Sequence, residues 1–168
     1  MLSQADNDML TQVGPGTAMG ELMREYWIPA FMSSELPGPD SDPIRVRLLG
    51  ENLIAFRDTN GVVGILDNFC PHRRASLFFG RNEECGLRCV YHGWKFDVHG
   101  DCIDMPSEPA ESNFKDKVKV TAYPTTEQSN FVWVYMGPAE KMPQMPDFEW
   151  MHLPEEHRGF AKFIYESN

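Results

Sequence analysis

Two short stretches concentrate the residues able to bind a soft metal. CPHRR occupies positions 70–74 and CVYHGW positions 89–94. Each supplies one Cys and one His, spaced C-x-H at Cys70 and His72 and C-x-x-H at Cys89 and His92. Two thiolates and two imidazoles suit either a tetrahedral zinc ion or a [2Fe–2S] cluster in which two His replace two of the usual four Cys. The order of the ligands bears on the choice. With one Cys and one His per loop, the Cys pair can hold one iron and the His pair the other, a division that a single zinc ion does not require. Zinc fingers usually bring a Cys pair first and a His pair afterwards, often with the His on a helix.

The elements that must hold these loops are legible in part. After the GPG at 14–16, Thr17 is placed to cap a helix in which Met19, Leu22, Met23, Tyr26 and Trp27 fall at i, i+3, i+4, i+7 and i+8. The spacing predicts one N-terminal amphipathic helix. SSELPGPDSDP at 33–43 is rich in Pro, Gly and Ser and breaks that periodicity. Beyond it the pattern alternates, and strands are predicted at 44–49, 53–57, 62–67, 87–91, 95–98, 118–122 and 130–136. Asn60-Gly61 marks a tight turn between the second and third. Both Cys/His pairs then fall on loops where strands turn. The expected fold is mainly β, built of antiparallel strands. Its organisation is a helical arm at 1–40, a cluster domain at 41–140, and a linker at 141–168 leading into the start of a further domain. The tail ends in FAKFIYESN, which is predicted to begin a strand. Apart from the two ligand loops there is no internal repeat.

Composition sets the surroundings. The chain has 168 residues, about one domain, and a formal charge of −10. Such an acidic chain is a poor match for the phosphate backbone, so a nucleic-acid partner is not expected. No apolar run approaches the roughly 18 residues of a membrane span, and MLSQADNDML lacks the basic start and apolar core of a signal peptide. A cytoplasmic protein without membrane attachment is expected. In a reducing compartment the four Cys are expected to bind metal or remain free thiols.

C-x-H, sixteen residues, then C-x-x-H, followed by GWKFD and MPSEP, resembles the Rieske domain of bacterial ring-hydroxylating oxygenases, in particular the phthalate dioxygenase group. The resemblance runs from GPGTAMGELMREYW through the ligand loops to FVWVYMGP. Respiratory Rieske proteins have similar ligands with an additional disulfide Cys in each loop, where this chain has Arg74 and Val90-Tyr91. Cys85 and Cys102 are therefore expected as free thiols. The resemblance implies a [2Fe–2S] cluster held by Cys70, His72, Cys89 and His92, with no catalytic residue in this chain. It implies electrons arriving from a flavin and iron–sulfur reductase or a ferredoxin. In the full-length oxygenase it implies a homotrimer, with His92 as the electron exit toward the neighbouring subunit. There a mononuclear Fe(II), held by two His and a carboxylate, activates O2 on an aromatic substrate in a domain that lies outside this chain. His99, His152 and His157 are expected at the surface, because Pro154 interrupts HLPEEH. The chain is thus expected to be the N-terminal part of an oxygenase component. A stand-alone Rieske ferredoxin is the alternative, and GELMREYWIPAF and FAKFIYESN, which resemble the oxygenase outside its cluster domain, favour the first reading.

Two neutral imidazoles in place of thiolates make such a cluster easier to reduce than an all-Cys one. Trp94, standing where respiratory relatives carry a Ser donor, points to the low end of the Rieske range. Residues 70–95 carry a formal +3 within an acidic chain, from Arg73, Arg74, Arg81, Arg88 and Lys95 against Glu83 and Glu84. They form either a cationic rim that steers an acidic donor or an ordinary solvated surface.

Overall fold

The computed structural model describes residues 2–109 and 111–163. Two short helices come first, α1 (Gln4–Thr11) and α2 (Ala18–Arg24), followed by β1 (Trp27–Met32), β2 (Ile44–Leu48), β3 (Glu51–Arg57) and β4 (Val63–Asp67). The small strands β5 (Arg81–Glu83), β6 (Gly86–Arg88), β7 (Lys95–Phe96) and β8 (Cys102–Asp104) follow. The series ends with β9 (Ala122–Tyr123), β10 (Thr125–Gln128) and β11 (Phe131–Tyr135). They pair antiparallel into three sheets ordered β1-β11-β10, β2-β3-β4-β9 and β5-β6-β7-β8. The expectation of a mainly β, antiparallel fold therefore holds. Among the described residues no helix is long and apolar enough to cross a membrane.

The central sheet is buried on both faces. Side chains alternate along a strand, so successive residues of β3 enter different cores. Ile54 and Phe56 join Leu66, Cys70, Cys89, Trp94 and Phe96 on the side of the ligand loops. Leu53 and Ala55 join Phe31, Val63, Ile65, Val132 and Val134 on the other. This explains why NLIAF carries a continuous apolar run. Phe56 is fully buried, and truncation of such a ring costs about 3–5 kcal/mol.

Turn chemistry fixes the register. Leu48 pairs with Glu51 across Leu49 and Gly50, both at positive φ, which is the two-residue turn that matches strand twist. The β3–β4 connection spans 58–62 instead of the tight Asn60-Gly61 turn expected: Gly61 N–H donates to Asp58 O (2.9 Å), so Thr59-Asn60 form the turn and Gly61 follows it at φ 82°. The Asp58 carboxylate accepts from the N–H groups of Asn60 (2.9 Å) and Val62 (2.8 Å).

Several elements differ from their expected bounds. Thr17 does cap α2, accepting from the Gly20 N–H at 3.2 Å. The helix stops at Arg24, however, and Trp27 opens β1 opposite Tyr135. Pairing with β11 outweighs the helical spacing of Tyr26 and Trp27, and Leu22 and Met23 face solvent. The strand expected at 118–122 forms only from Ala122; ahead of it, Thr121 O accepts from Asp67 N–H and Val118 O from Cys102 N–H, so the segment stitches two sheets together. The strand expected at 160–168 lies partly outside the described residues, and its described part, 160–163, is not in a strand.

The segment beyond Gly137 lies against β1 and β11. Trp27 Nε1 donates to Pro143 O at 2.9 Å, and Lys162 pairs with Glu35 at 2.7 Å. Phe148, Trp150 and Phe160 pack their rings on Phe131 and Trp133 of β11.

Candidate metal centre

The two ligand loops are the same backbone turn used twice. Cys70 N–H donates to Ala75 O (2.9 Å) and Arg74 N–H to Cys70 O (2.9 Å); Cys89 N–H donates to Trp94 O (2.8 Å) and Gly93 N–H to Cys89 O (3.0 Å). In both, the fourth residue after the Cys is left-handed, Arg74 at φ 59° and Gly93 at φ 77°. Glycine tolerates that region at no steric cost, whereas Arg74 adopts it against its Cβ. One loop leaves β4 and is closed at its base by a Phe69–Ser76 bridge, and the other is the tip of the β6–β7 hairpin.

This repeated turn brings like groups together. Cys70 and Cys89 are buried in one core, Cys89 near enough to bear on the Cys70 thiol. Burial, aided by Cys89, pushes the Cys70 thiol up to about 11, against the pull of the His72 and Arg73 N–H groups aimed at its sulfur. The imidazoles of His72 and His92 lie side by side, with centroids 4.5 Å apart and planes tilted by 59°. Trp94 stacks on His72 at 4.4 Å, and Tyr91 lies against His92 at 3.9 Å, so four rings run in series. His72 is half-buried and His92 exposed. Desolvation first, and then the charges of His92 and Arg73, hold His72 below the ordinary imidazole range, which favours the neutral, metal-binding form.

These residues fit a [2Fe–2S] cluster. His72 Nδ1 is buried without a hydrogen-bond partner, a cost normally met by a bond or a metal. The groups sort by type, thiols in the core and imidazoles toward the surface. Among the described residues no three His, Cys, Asp or Glu side chains gather on one point as ligands of a single ion. Cys70 and Cys89 would hold one iron and His72 and His92 the other.

Most of the expected cationic rim is spent internally. Arg81 and Arg88 bind Glu83, Arg88 also binds Asp104, Lys95 binds Glu84, and Arg74 reaches Asp67 at 3.5 Å. The hydrogen bonds from Arg81 and then Arg88 hold the Glu83 carboxyl down at about 2. Arg73 alone of the five is exposed without an ion pair among the described residues. Glu83 and Glu84 already stand within 70–95, whereas the partners Asp67 and Asp104 lie outside that stretch, so its formal +3 overstates the charge left at the surface. Cys85 and Cys102 are free thiols as expected, and burial raises Cys102. His99, His152 and His157 are exposed, with His152 beside Asp147.

Residues 26–124, more than half of the chain, match the Rieske [2Fe-2S] domain family, and the chain belongs to it. Its relatives are more specific. It is 56% identical over 150 residues to the 3-chlorobenzoate-3,4-dioxygenase oxygenase subunit of Comamonas testosteroni, covering 89% of this chain and 34% of that protein. It is 50% identical over 170 residues to the phthalate 4,5-dioxygenase oxygenase subunit of Pseudomonas putida, covering 100% of this chain and 38% of that protein. The solved structure of dicamba monooxygenase with non-heme iron and dicamba is similar at a TM-score of 0.69 and 29% identity, over 80% of this chain and 40% of that one. The chain thus spans little more than a third of the length of these curated relatives.

Proposed function

We propose that this chain is the electron-transferring N-terminal portion of a ring-hydroxylating oxygenase component of the phthalate dioxygenase kind. The observation that carries the reading is the doubled turn that sets two thiols in one buried core and two imidazoles next to each other, their rings tilted at 59° with centroids 4.5 Å apart, with His72 Nδ1 unpartnered. Cys70, His72, Cys89 and His92 are the proposed cluster ligands. A bound [2Fe–2S] cluster supplies one-electron storage at the potential its ligands set. Cys70 and Cys89 keep water from the thiolate side, and Trp94 covers one face of His72. His92 presents its exposed edge to a partner and is the proposed electron exit. The donor is a flavin and iron–sulfur reductase or a ferredoxin, and the acceptor a mononuclear Fe(II) in a further domain of a neighbouring subunit, within a homotrimer. There O2 is activated on an aromatic carboxylate, a class supported by the names of the chlorobenzoate and phthalate relatives. Similarity to oxygenase subunits across the whole chain, N-terminal arm included, favours this over a stand-alone ferredoxin.

Iron and acid-labile sulfide analysis of the purified chain tests the centre. Two of each per chain are expected for a [2Fe–2S] cluster. One zinc ion per chain would overturn the reading. The loaded chain should accept an electron from such a reductase and hydroxylate no aromatic substrate, even with added ferrous iron; product formation by this chain would contradict the division of labour.

A further inference from the structure

The two ligand loops share a backbone, but among the described residues a side chain donates to the carbonyl of the left-handed residue in just one of them. Arg88, the residue before Cys89, bends its guanidinium over the loop that follows. Its Nη1 donates to Gly93 O at 2.8 Å and to Asp104 Oδ2 at 2.7 Å, and its Nε donates to Glu83 Oε1 at 2.6 Å. The side chain is only 13% exposed. Gly93 is confined on a second side: a Cβ there would lie 3.2 Å from Pro106 Cγ, and the residue sits at φ 77°. In the other loop the equivalent residue is Arg74, whose side chain is 68% exposed and lies over the Phe69 ring at 4.6 Å. Among the described residues no side chain donates to its carbonyl.

The held peptide stands between two functional groups. Gly93 separates His92, the exposed imidazole, from Trp94, whose indole lies on His72. Fixing the Gly93 carbonyl therefore fixes where the exposed imidazole leaves the loop and where the indole enters the core. The planar guanidinium suits this task, because it offers several N–H donors in a fixed fork and can bridge a carbonyl and two carboxylates at once. A lysine ammonium keeps the charge and loses that fork. The paired carboxylates Glu83 and Asp104 offset the positive charge, so the contribution is one of geometry more than of field.

We propose that Arg88 is a positioning residue for the cluster, locking the Cys89–Trp94 loop through the Gly93 carbonyl, with Asp104 and Glu83 aiming the guanidinium. This rests on the proposed ligand set. It goes beyond that set because the Arg88 guanidinium bonds to Gly93 O, Asp104 and Glu83, none of which is a proposed ligand.

The test uses the cluster-loaded chain, with Arg88→Lys, Arg88→Met and Asp104→Ala. Two quantities are read: the rate at which visible absorbance is lost in excess chelator, and the electron paramagnetic resonance g values of the reduced cluster. Outer partners of metal ligands typically matter by about 10- to 100-fold, so Arg88→Lys and Arg88→Met should lose the cluster faster by about that factor, with shifted g values. Asp104→Ala keeps Arg88 but removes one of its anchors, and should move both readouts the same way by less. If Arg88→Lys matches the wild type in both readouts, charge alone suffices and the proposal fails. It fails equally if Arg88→Met and Asp104→Ala leave the g values unchanged. Should Arg88→Met not fold, Arg88→Lys and Asp104→Ala decide the matter. A wild-type chain without iron and sulfide would refute the ligand set itself, a result read before any variant.

Discussion

Trp94 lies flat on His72, with ring centroids 4.4 Å apart and planes within 9° of parallel. The indole is buried in the same core as Cys70 and Cys89, and Phe114 meets it in a T-shaped pair at 6.4 Å. One stacked pair thus joins the cluster side of the molecule to its hydrophobic core.

Replacing Trp94 separates stacking from bulk. Trp94→Phe keeps an aromatic face for His72, whereas Trp94→Leu keeps apolar volume without one. Stacked pairs add about 0.5–1.5 kcal/mol beyond area burial, so Trp94→Leu should lose its cluster to chelator faster than Trp94→Phe. Equal rates, followed by absorbance, would remove stacking as the cause.

The ligand assignment has its own signature. Alanine at Cys70, His72, Cys89 or His92 should abolish visible colour, because a cluster missing one ligand is not retained. Cys85→Ala and Cys102→Ala should keep it. Bleaching by either of these would mean that the four ligands are wrongly chosen.

A buried network anchors α2 to the central sheet. Arg24, only 7% exposed, donates to Glu51 at 2.6 Å, and the Tyr123 hydroxyl donates to the other Glu51 oxygen at 2.6 Å. Tyr123→Phe removes one bond to a charged acceptor and should cost about 1.5–3 kcal/mol. Glu51→Ala leaves the Arg24 charge buried and unpaired, and should cost more, about 3–5 kcal/mol. Urea unfolding of the two variants gives the ranking, and the reverse order would contradict it.

Acid should weaken the molecule through named carboxylates. Bidentate hydrogen bonds from Arg57 hold the Glu127 carboxyl below its ordinary range. A carboxylate whose folded pKa is depressed adds stability above its unfolded pKa, near 4.5, and loses it as pH falls through the lower folded value. Glu83, held at about 2, extends this window downward. The melting-temperature gap between wild type and Glu127→Gln should therefore narrow as pH drops below about 4.5. A gap independent of pH would show that the Arg57 pair contributes nothing through charge.

The sequence by itself determined the chemistry and the middle of the fold. Cys70, His72, Cys89 and His92, the proposed ligands, stand with their spacing within two short segments, and soft-ligand chemistry depends on residue type before any geometry. The strands around 44–67 were legible because their apolar pattern is a local signal and Asn60-Gly61 marks a reversal to within one residue. Only the tertiary structure decided the rest, and the reason is distance along the chain. Trp27 leaves a helical pattern because Tyr135, over a hundred residues away, offers it a strand partner. β5 and β10 escaped notice because their turns use Glu84-Cys85 and Ser129-Asn130 at positive φ, without the glycine that announces such a turn. Whether the charges near the two loops form a rim or an ordinary surface stayed open in the sequence, and the ion pairs to Glu83, Glu84, Asp67 and Asp104 decide it, leaving Arg73 exposed and unpaired among the described residues. Above all, a Cys and its His are placed by sequence, but that thiol meets thiol and imidazole meets imidazole follows from two loops adopting the same closed turn on two different sheets that share a core.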